Sequence, residues 1–394
     1  MRSALAVGPD LVLEGLPPEP EHSGGRLQAP AEVLRGVPGP IRVGGPAGTG
    51  ALRPGERAEV GGVRVVALPA GPPTASWSAP PSGELSLLVA VAPGVRILWA
   101  PDTGPLPAET LQALEGADLD IAVLDCRDTR GRADPAAFGH RLSRLRSAGA
   151  LREGARVVAA GLSHEGAGPQ RLARALAPWG AQVLPDGAAL TGPRRVGPGE
   201  VPRAPLRTIL LGGASSGKSA LAEEMLAAEP QVVYAATGPV PGPDDPEWAQ
   251  RVSAHRDRRP PWWTTMESCD VPGLLREPGP PVLLDSVGTW LAEAMHRSGA
   301  WDDEPGWAGR TGEEMERMRV AWRGSARRVV AVCEDVGSGV VPATSAGRRF
   351  RDLAGKLNAA LADESERVFL CVAGRAVPLD LSDAPAPLPD GGPL

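Results

Sequence analysis

The sequence predicts an α/β protein of two domains, the second built on a mostly parallel sheet covered by helices. Three observations lead there. From residue 206 onward, short apolar runs alternate with amphipathic stretches, the pattern of strands joined by crossover helices. A Gly/Pro-rich segment without hydrophobic periodicity, TGPRRVGPGEVPRAP at 191–205, separates that region from the first half. The chain has 50 Gly and 44 Pro, yet 42% apolar against 22% charged residues supplies material for packed cores. The expected layout is a domain at 1–192, a linker at 193–205, a domain at 206–380 and a tail at 381–394 without fixed structure.

In the second half the expected order is strand 206–212, a helix from 218, strand 231–237, a helix near 246–257 and strand 281–285. Helices 286–297 and 311–325, strand 327–335, helix 346–361 and strand 366–374 follow. In the first half, 61–70, 83–92 and 95–101 are rich in Val, Leu and Ile, and Pro93-Gly94 joins the last two, which predicts a strand followed by a β-hairpin. Buried-type strands are expected at 120–125 and 155–164, separated by helices near 106–115 and 135–149. Residues 9–60 carry only weak strand signals and receive no assignment.

Charge and cysteine content exclude several function classes. A net charge of −6 lacks the basic excess that binding a nucleic-acid backbone requires. Residues 1–200 hold 20 basic and 20 acidic side chains and the remainder 21 and 27, so the net charge belongs to the second half. Only Lys218 and Lys356 are lysines, which makes each informative in a chain that otherwise uses Arg. Cys126, Cys269, Cys333 and Cys371 form no C-x-x-C pair, which fits a reducing compartment. The opening apolar run is too short for a secretory signal and no later run reaches the length of a membrane span, so a cytoplasmic protein is expected.

The strongest motif is Gly212-Gly213-Ala214-Ser215-Ser216-Gly217-Lys218-Ser219, which fits G-x-x-x-x-G-K-[ST] between an apolar strand and a helical stretch. Its glycines let backbone N–H groups turn around phosphate oxygens, the helix N-terminus adds positive potential, Lys218 reaches the β/γ-phosphates and the Ser219 hydroxyl can ligate Mg²⁺. The alternative is a Gly/Ser-rich turn without a ligand. Asp285, at the end of an apolar strand, is placed either to hold Mg²⁺ or to cap the helix that follows.

The stretch Arg251-Val252-Ser253-Ala254-His255-Arg256-Asp257-Arg258-Arg259 sets one histidine among four arginines. A neutral imidazole can attack phosphorus while guanidiniums neutralise the transferring group. A solvated basic helix end is the alternative.

Taken in order, GGASSGKS, VVYAATG, AHRDRRPPWWTTME, VLLDSVGTWL and EDVGSGVVPATSAGRRFRDLAGKLN resemble the bifunctional adenosylcobinamide kinase/adenosylcobinamide-phosphate guanylyltransferase family over about 206–379. The resemblance implies a P-loop domain that phosphorylates adenosylcobinamide with ATP or GTP. GMP is then transferred from GTP through a guanylylated histidine, which His255 matches. Lys218 is the second catalytic residue implied. The implied nucleotide contacts are Gly212 to Ser219, Ala236, Thr237, Gly238, Arg256, Asp257, Arg258, Arg259, Glu267 and Asp285, with Mg²⁺ on Ser219 and Asp285. A homo-oligomer, a trimer in the family, is also implied. The chain departs from the family pattern at Ala254, where a second histidine is usual, and at Glu334-Asp335, where Asn-Glu is usual.

The first half, through RILWAPDTG, DIAVLDC and VVAAGLSHEG, resembles the later part of a metallo-β-lactamase-type domain that lacks its H-x-H-x-D-H metal loop. A degenerate domain is expected, although Asp102, His140 and His164 supply the minimum for a metal site. Two other functions compete with the transferase: a P-loop nucleotide switch acting on a partner, and a metal-dependent hydrolase in the first domain.

Overall fold

The computed structural model describes residues 3–6, 11–15, 32–36, 41–45, 48–52, 55–60, 63–69, 85–91, 95–100, 104–160, 166–184, 205–239, 250, 252–253, 256–257, 259–267 and 270–379. The chain divides into two compact units, one chiefly Met1–Ala204, the other Pro205–Leu226 with Gln231–Leu394.

In the first unit, β1 (Ser3–Ala6), β2 (Leu11–Gly15), β3 (Glu32–Gly36), β4 (Ile41–Gly45) and β5 (Gly48–Leu52) form one sheet in sequence order. Strands β2 to β5, and β6 (Arg57–Val60), lie in the stretch 9–60 that received no assignment from the sequence. The second sheet joins β6, β7 (Val63–Pro69), β8 (Leu85–Val91), β9 (Val95–Ala100), β10 (Leu119–Asp125), β11 (Leu151–Ala160) and β12 (Ala181–Val183), in the order β12-β11-β10-β9-β8-β7-β6. Strands β6 to β9 are antiparallel neighbours and β9 to β12 are parallel ones. Among the described residues of this unit are also helices α1 (Ala108–Ala113), α2 (Pro135–Ser147) and α3 (Pro169–Leu176) and the 3-10 turn Ala177–Trp179. The expected hairpin and the parallel pair after it are present, whereas α3 and β12 were not anticipated.

Helix α2 shows how the sequence sets this packing. Asp134 caps it by accepting from the Ala136 N–H at 3.0 Å, with Pro135 at the first helical position. Phe138, Leu142 and Leu145 then recur on one face and are fully buried. His140, also on α2, has its pKa lowered to about 4 by burial and, secondarily, by the Arg141 guanidinium beside it.

The second unit contains one seven-stranded sheet. Its elements are β13 (Arg207–Gly212), α4 (Lys218–Leu226), β14 (Val233–Ala236), β15 (Thr264–Glu267), α5 (Val271–Arg276), β16 (Val282–Asp285), α6 (Val287–Arg297), α7 (Trp307–Gly324), β17 (Val329–Glu334), α8 (Ser345–Asp363), β18 (Arg367–Val372) and β19 (Arg375–Pro378). The sheet order is β15-β14-β16-β17-β13-β18-β19, and every neighbouring pair is parallel except β18–β19.

Alternation along the central strands feeds cores on opposite faces, as a sheet covered on both sides requires. On β16, Val282 and Leu284 join one apolar cluster and Leu283 the other; on β17, Val329, Ala331 and Cys333 oppose Val330 and Val332. The first cluster is completed by Trp290, Leu291, Ala294 and Met295 of α6, Met318 and Trp322 of α7, and Leu357 and Leu361 of α8. The second includes Ala222 and Leu226 of α4 with Tyr234 and Trp263. Among the described residues no helix is long and apolar enough to cross a membrane.

Because the folded pKa of His140 lies near 4, below the ordinary histidine value of 6.5, the unfolded chain binds its proton first as the pH falls. Its contribution to stability is therefore complete above pH 6.5 and is lost as the pH drops toward 4. We expect the thermal midpoint of His140→Gln to fall less than that of the wild type between pH 7 and pH 4.5, followed by circular dichroism. Parallel curves would contradict a buried neutral imidazole.

Candidate active site

With β13 to β18 parallel, their carboxyl ends share one edge, where ligands of open α/β sheets bind. There the residues frame a cleft of about 790 Å³, lined by all of Gly212–Ser219 and by Ala236, Gly238, Arg259, Glu267 and Asp285 among others. Strand register sets the walls. Ala236 pairs with both Glu267 and Asp285, Asp285 pairs with Val332, and Gly212 pairs with Glu334.

The phosphate-binding loop is shaped by steric limits. A Cβ on Gly212 would collide with the Cys371 carbonyl on the adjacent β18. Gly217 has φ +94°, and a Cβ there would lie 3.2 Å from the Cα of Gly374, whose N–H donates to the Ser216 carbonyl at 3.0 Å. Ser215 adopts φ +55°, an uncommon conformation for a side-chain-bearing residue that turns the loop over. Lys218 opens α4 and is 7% exposed; its Nζ donates to the Gly213 carbonyl at 2.7 Å and lies 3.5 Å from Ser216 Oγ. Among the described residues no carboxylate pairs with it. The loop thus combines a buried ammonium with a helix N-terminus, the two features that favour a polyanion.

Asp285 ends β16, but it does not cap the helix that follows. Ser286 does, accepting from the Thr289 N–H at 3.3 Å in a capping box with Thr289. The sequence alternative of Asp285 as cap is therefore corrected, because the helix starts one residue later than the strand end suggests. Asp285 Oδ2 instead accepts from the Tyr234 hydroxyl at 2.5 Å. Burial, reinforced by the Asp285 charge, raises the Tyr234 pKa well above its usual value, so the phenol remains the donor.

Arg259 lies over the Tyr234 ring, 3.4 Å from its centroid, and donates to Thr265 Oγ1 at 3.0 Å. Arg256 pairs with Glu267 at 3.6 Å, both side chains at least half exposed, so the pair contributes about 0–1 kcal/mol. Asp257 is exposed and helical. His255 and Arg258 lie outside the described residues, as do Asp102 and His164 of the first unit. Residues 250, 252–253 and 256–257 are helical, consistent with the helix expected near 246–257.

Thr237 is buried behind the cleft wall. Its Oγ1 accepts from the Ser286 N–H at 2.9 Å and donates to the Ser286 carbonyl at 2.6 Å, tying the end of β14 to the start of α6. Glu334 Oε2 accepts from the Gly288 N–H at 3.0 Å, a carboxylate set on the first turn of α6, and Asn358 Nδ2 donates to its carbonyl at 3.0 Å. Asp335, which lines the cleft, accepts from Ser338 Oγ at 2.7 Å. The two acids at this departure from the family pattern thus have distinct local partners.

Sequence reasoning missed Tyr234, Ser286, Thr289 and Val336 in the cleft lining. Of these only Tyr234 carried a usable signal, as the single tyrosine of the chain. The Cys333 and Cys371 thiols, both buried, are pushed up by desolvation and are unsuited to nucleophilic attack.

The hydroxyl of Ser219 and the carboxylate of Asp285 on the walls of one cleft form an all-oxygen donor set, which fits Mg²⁺, a cation that takes one or two carboxylates and completes its shell with phosphate and water. Among the described residues no group of three or more His, Cys, Asp or Glu could hold a metal by itself.

A family described as cobinamide kinase / cobinamide phosphate guanyltransferase matches residues 208–379. The bifunctional adenosylcobalamin biosynthesis protein CobU of Salmonella typhimurium is 33% identical over 178 residues, covering 43% of this chain and 97% of that protein. CobU of Escherichia coli is 34% identical with the same coverage, and the bifunctional adenosylcobalamin biosynthesis protein CobP of Pseudomonas aeruginosa is 36% identical over 179 residues, 44% of this chain and 97% of that protein. A solved structure, unliganded yeast PDE1, matches 34% of this chain and 46% of its own at 13% identity, with a TM-score of 0.26, too slight a likeness to carry an argument. Through residues 208–379, the chain belongs to the cobinamide kinase / cobinamide phosphate guanyltransferase family.

Proposed function

We propose that this one cleft performs two successive transfers on a single acceptor. The chain is an adenosylcobinamide kinase and adenosylcobinamide-phosphate guanylyltransferase of cobalamin biosynthesis, with ATP or GTP as substrates. The loop Gly212–Ser219, with its buried Lys218 at the head of α4, is the observation that carries this reading, because it lies within the stretch 208–379 that matches the family.

In the first transfer the acceptor hydroxyl oxygen attacks the γ-phosphorus. The new O–P bond forms as the bond to the β-phosphate oxygen breaks, releasing the nucleoside diphosphate, and the hydroxyl gives up its proton. In the second, an imidazole nitrogen of His255 attacks the α-phosphorus of GTP and diphosphate leaves. An oxygen of adenosylcobinamide phosphate then displaces the histidine, breaking the P–N bond and giving adenosylcobinamide-GDP.

The chain's own groups supply charge and position. The loop N–H groups and Lys218 neutralise phosphate oxygens, and Arg256, Arg258 and Arg259 are assigned to the charge of the group in transit. Ala236, Gly238, Asp257 and Glu267 contact the nucleotide, and Thr237 acts from beneath by fixing Ser286. Ser219 and Asp285 are assigned to Mg²⁺, which when bound neutralises charge across the phosphate oxygens. A homotrimer in the cytoplasm completes the proposal.

For the first unit we propose a degenerate metallo-β-lactamase-like domain, supported by its mixed sheet and by the use of its acids in internal pairing. Asp125, at the end of β10, pairs with Arg127 at 2.9 Å, and Asp120 pairs with Arg152 at 2.6 Å.

Lys218→Ala is expected to lower both half-reactions by about 10²-fold or more, measured with labelled ATP and GTP, since the ammonium neutralises phosphate charge in each. Near-normal rates would remove the loop from both. His255→Asn is expected to abolish acid-labile, base-stable protein-bound GMP from α-labelled GTP and to stop guanylyl transfer while sparing most kinase activity. A GMP adduct persisting in His255→Asn, or stable to acid, would exclude His255 as the nucleophile.

A further inference from the structure

Tyr234 is the only tyrosine in the chain and is 2% exposed, yet both ends of its side chain meet charged residues of the cleft. The hydroxyl donates to Asp285 Oδ2 at 2.5 Å, from β14 to the neighbouring β16. The ring carries the Arg259 guanidinium 3.4 Å from its centroid, and Arg259 reaches on to Thr265 Oγ1 of β15. Apolar packing alone does not require a phenol here, because a buried hydroxyl costs free energy unless it is hydrogen-bonded. Phenylalanine would fill the same space beside Leu283 and Trp263.

We propose that Tyr234 is a positioning residue for the nucleotide: its hydroxyl fixes the orientation of Asp285 and its ring seats Arg259, setting a carboxylate and a guanidinium in place before the triphosphate arrives. The proposal deepens the reading of the cleft as a nucleoside triphosphate site and rests on it. A guanidinium already seated on an aromatic face gives up less rotamer freedom when it meets phosphate, which favours binding. A carboxylate held by a neighbouring hydroxyl does not have to find its orientation during the reaction, which favours the chemical step. Tyr234 itself touches no reacting atom in this scheme, so its effects are exerted through Asp285 and Arg259.

The two contacts can be separated. Tyr234→Phe keeps the ring and removes only the bond to Asp285; kcat for phosphoryl transfer is expected to fall about 10-fold with the nucleotide KM within roughly 2-fold of wild type. Tyr234→Leu also removes the stack, and KM is expected to rise by about 10-fold as well. A purely structural role would instead lower the thermal midpoint of both variants and reduce kcat in proportion to the folded fraction with KM unchanged, which would overturn the proposal.

A direct readout comes from incorporating 3-fluorotyrosine, which labels this one site. The single ¹⁹F resonance is expected to move in Arg259→Gln, in Asp285→Asn, and on saturating the wild type with a non-hydrolysable GTP analogue. Binding of the analogue, established by equilibrium dialysis, without movement of the resonance would overturn the role of Tyr234 while leaving the nucleotide site intact. Failure of the wild type to bind the analogue at all would overturn both.

Discussion

The second unit is organised around keeping one ammonium out of water. Lys218 is 7% exposed and is met by the Gly213 carbonyl and the Ser216 hydroxyl, oxygens without formal charge. A buried cation of this kind is tolerated only where dipoles are held on it, and it attracts an anion strongly. The loop must therefore keep its shape before any ligand is present. Gly212 achieves this by lying against the Cys371 carbonyl, and the turn at Gly374 between β18 and β19 holds the Ser216 carbonyl from the other side. The outer β18–β19 hairpin is in this sense part of the phosphate site.

The same sheet edge gathers acids, and the structure gives them different tasks. Glu334 is committed to the first turn of α6 through the Gly288 N–H, where glycine leaves room that a Cβ would take from the carboxylate. Asp285 is one strand away and bonded to Tyr234. Lys218 and Arg259 together with Asp285, Glu267 and Asp335 give the cleft both signs of charge. That suits a site that takes a polyanion together with a cation, rather than one that only repels or attracts.

Much of this was legible in the sequence because the signals were local. Parallel strands buried on both faces appear as continuous apolar runs, and β13, β16 and β17 lie where such runs occur. The phosphate-binding loop combines an eight-residue spacing with one of only two lysines. What escaped depends on neighbours distant in sequence. Thr237 turns inward to Ser286, 49 residues away, and Tyr234 meets Asp285, 51 residues away. The short strands β2 to β6 lie in the Gly- and Pro-rich stretch 9–60, and runs of four or five residues leave little room for period-two alternation to show. The start of α6 was missed by one residue because Asp and Ser are both good caps and only the bond from the Thr289 N–H decides between them.

The central claim is that one cleft serves both transfers. It is tested most directly by measuring nucleotide stoichiometry on the intact chain, with α-labelled GTP and a non-hydrolysable ATP analogue in equilibrium dialysis. The account predicts a single nucleotide per chain, mutual displacement of the two, and competitive inhibition of protein-bound GMP formation by the ATP analogue. Simultaneous binding of both nucleotides, with GMP formation unaffected by the analogue, would show that the kinase and guanylyltransferase reactions use separate sites and would contradict it.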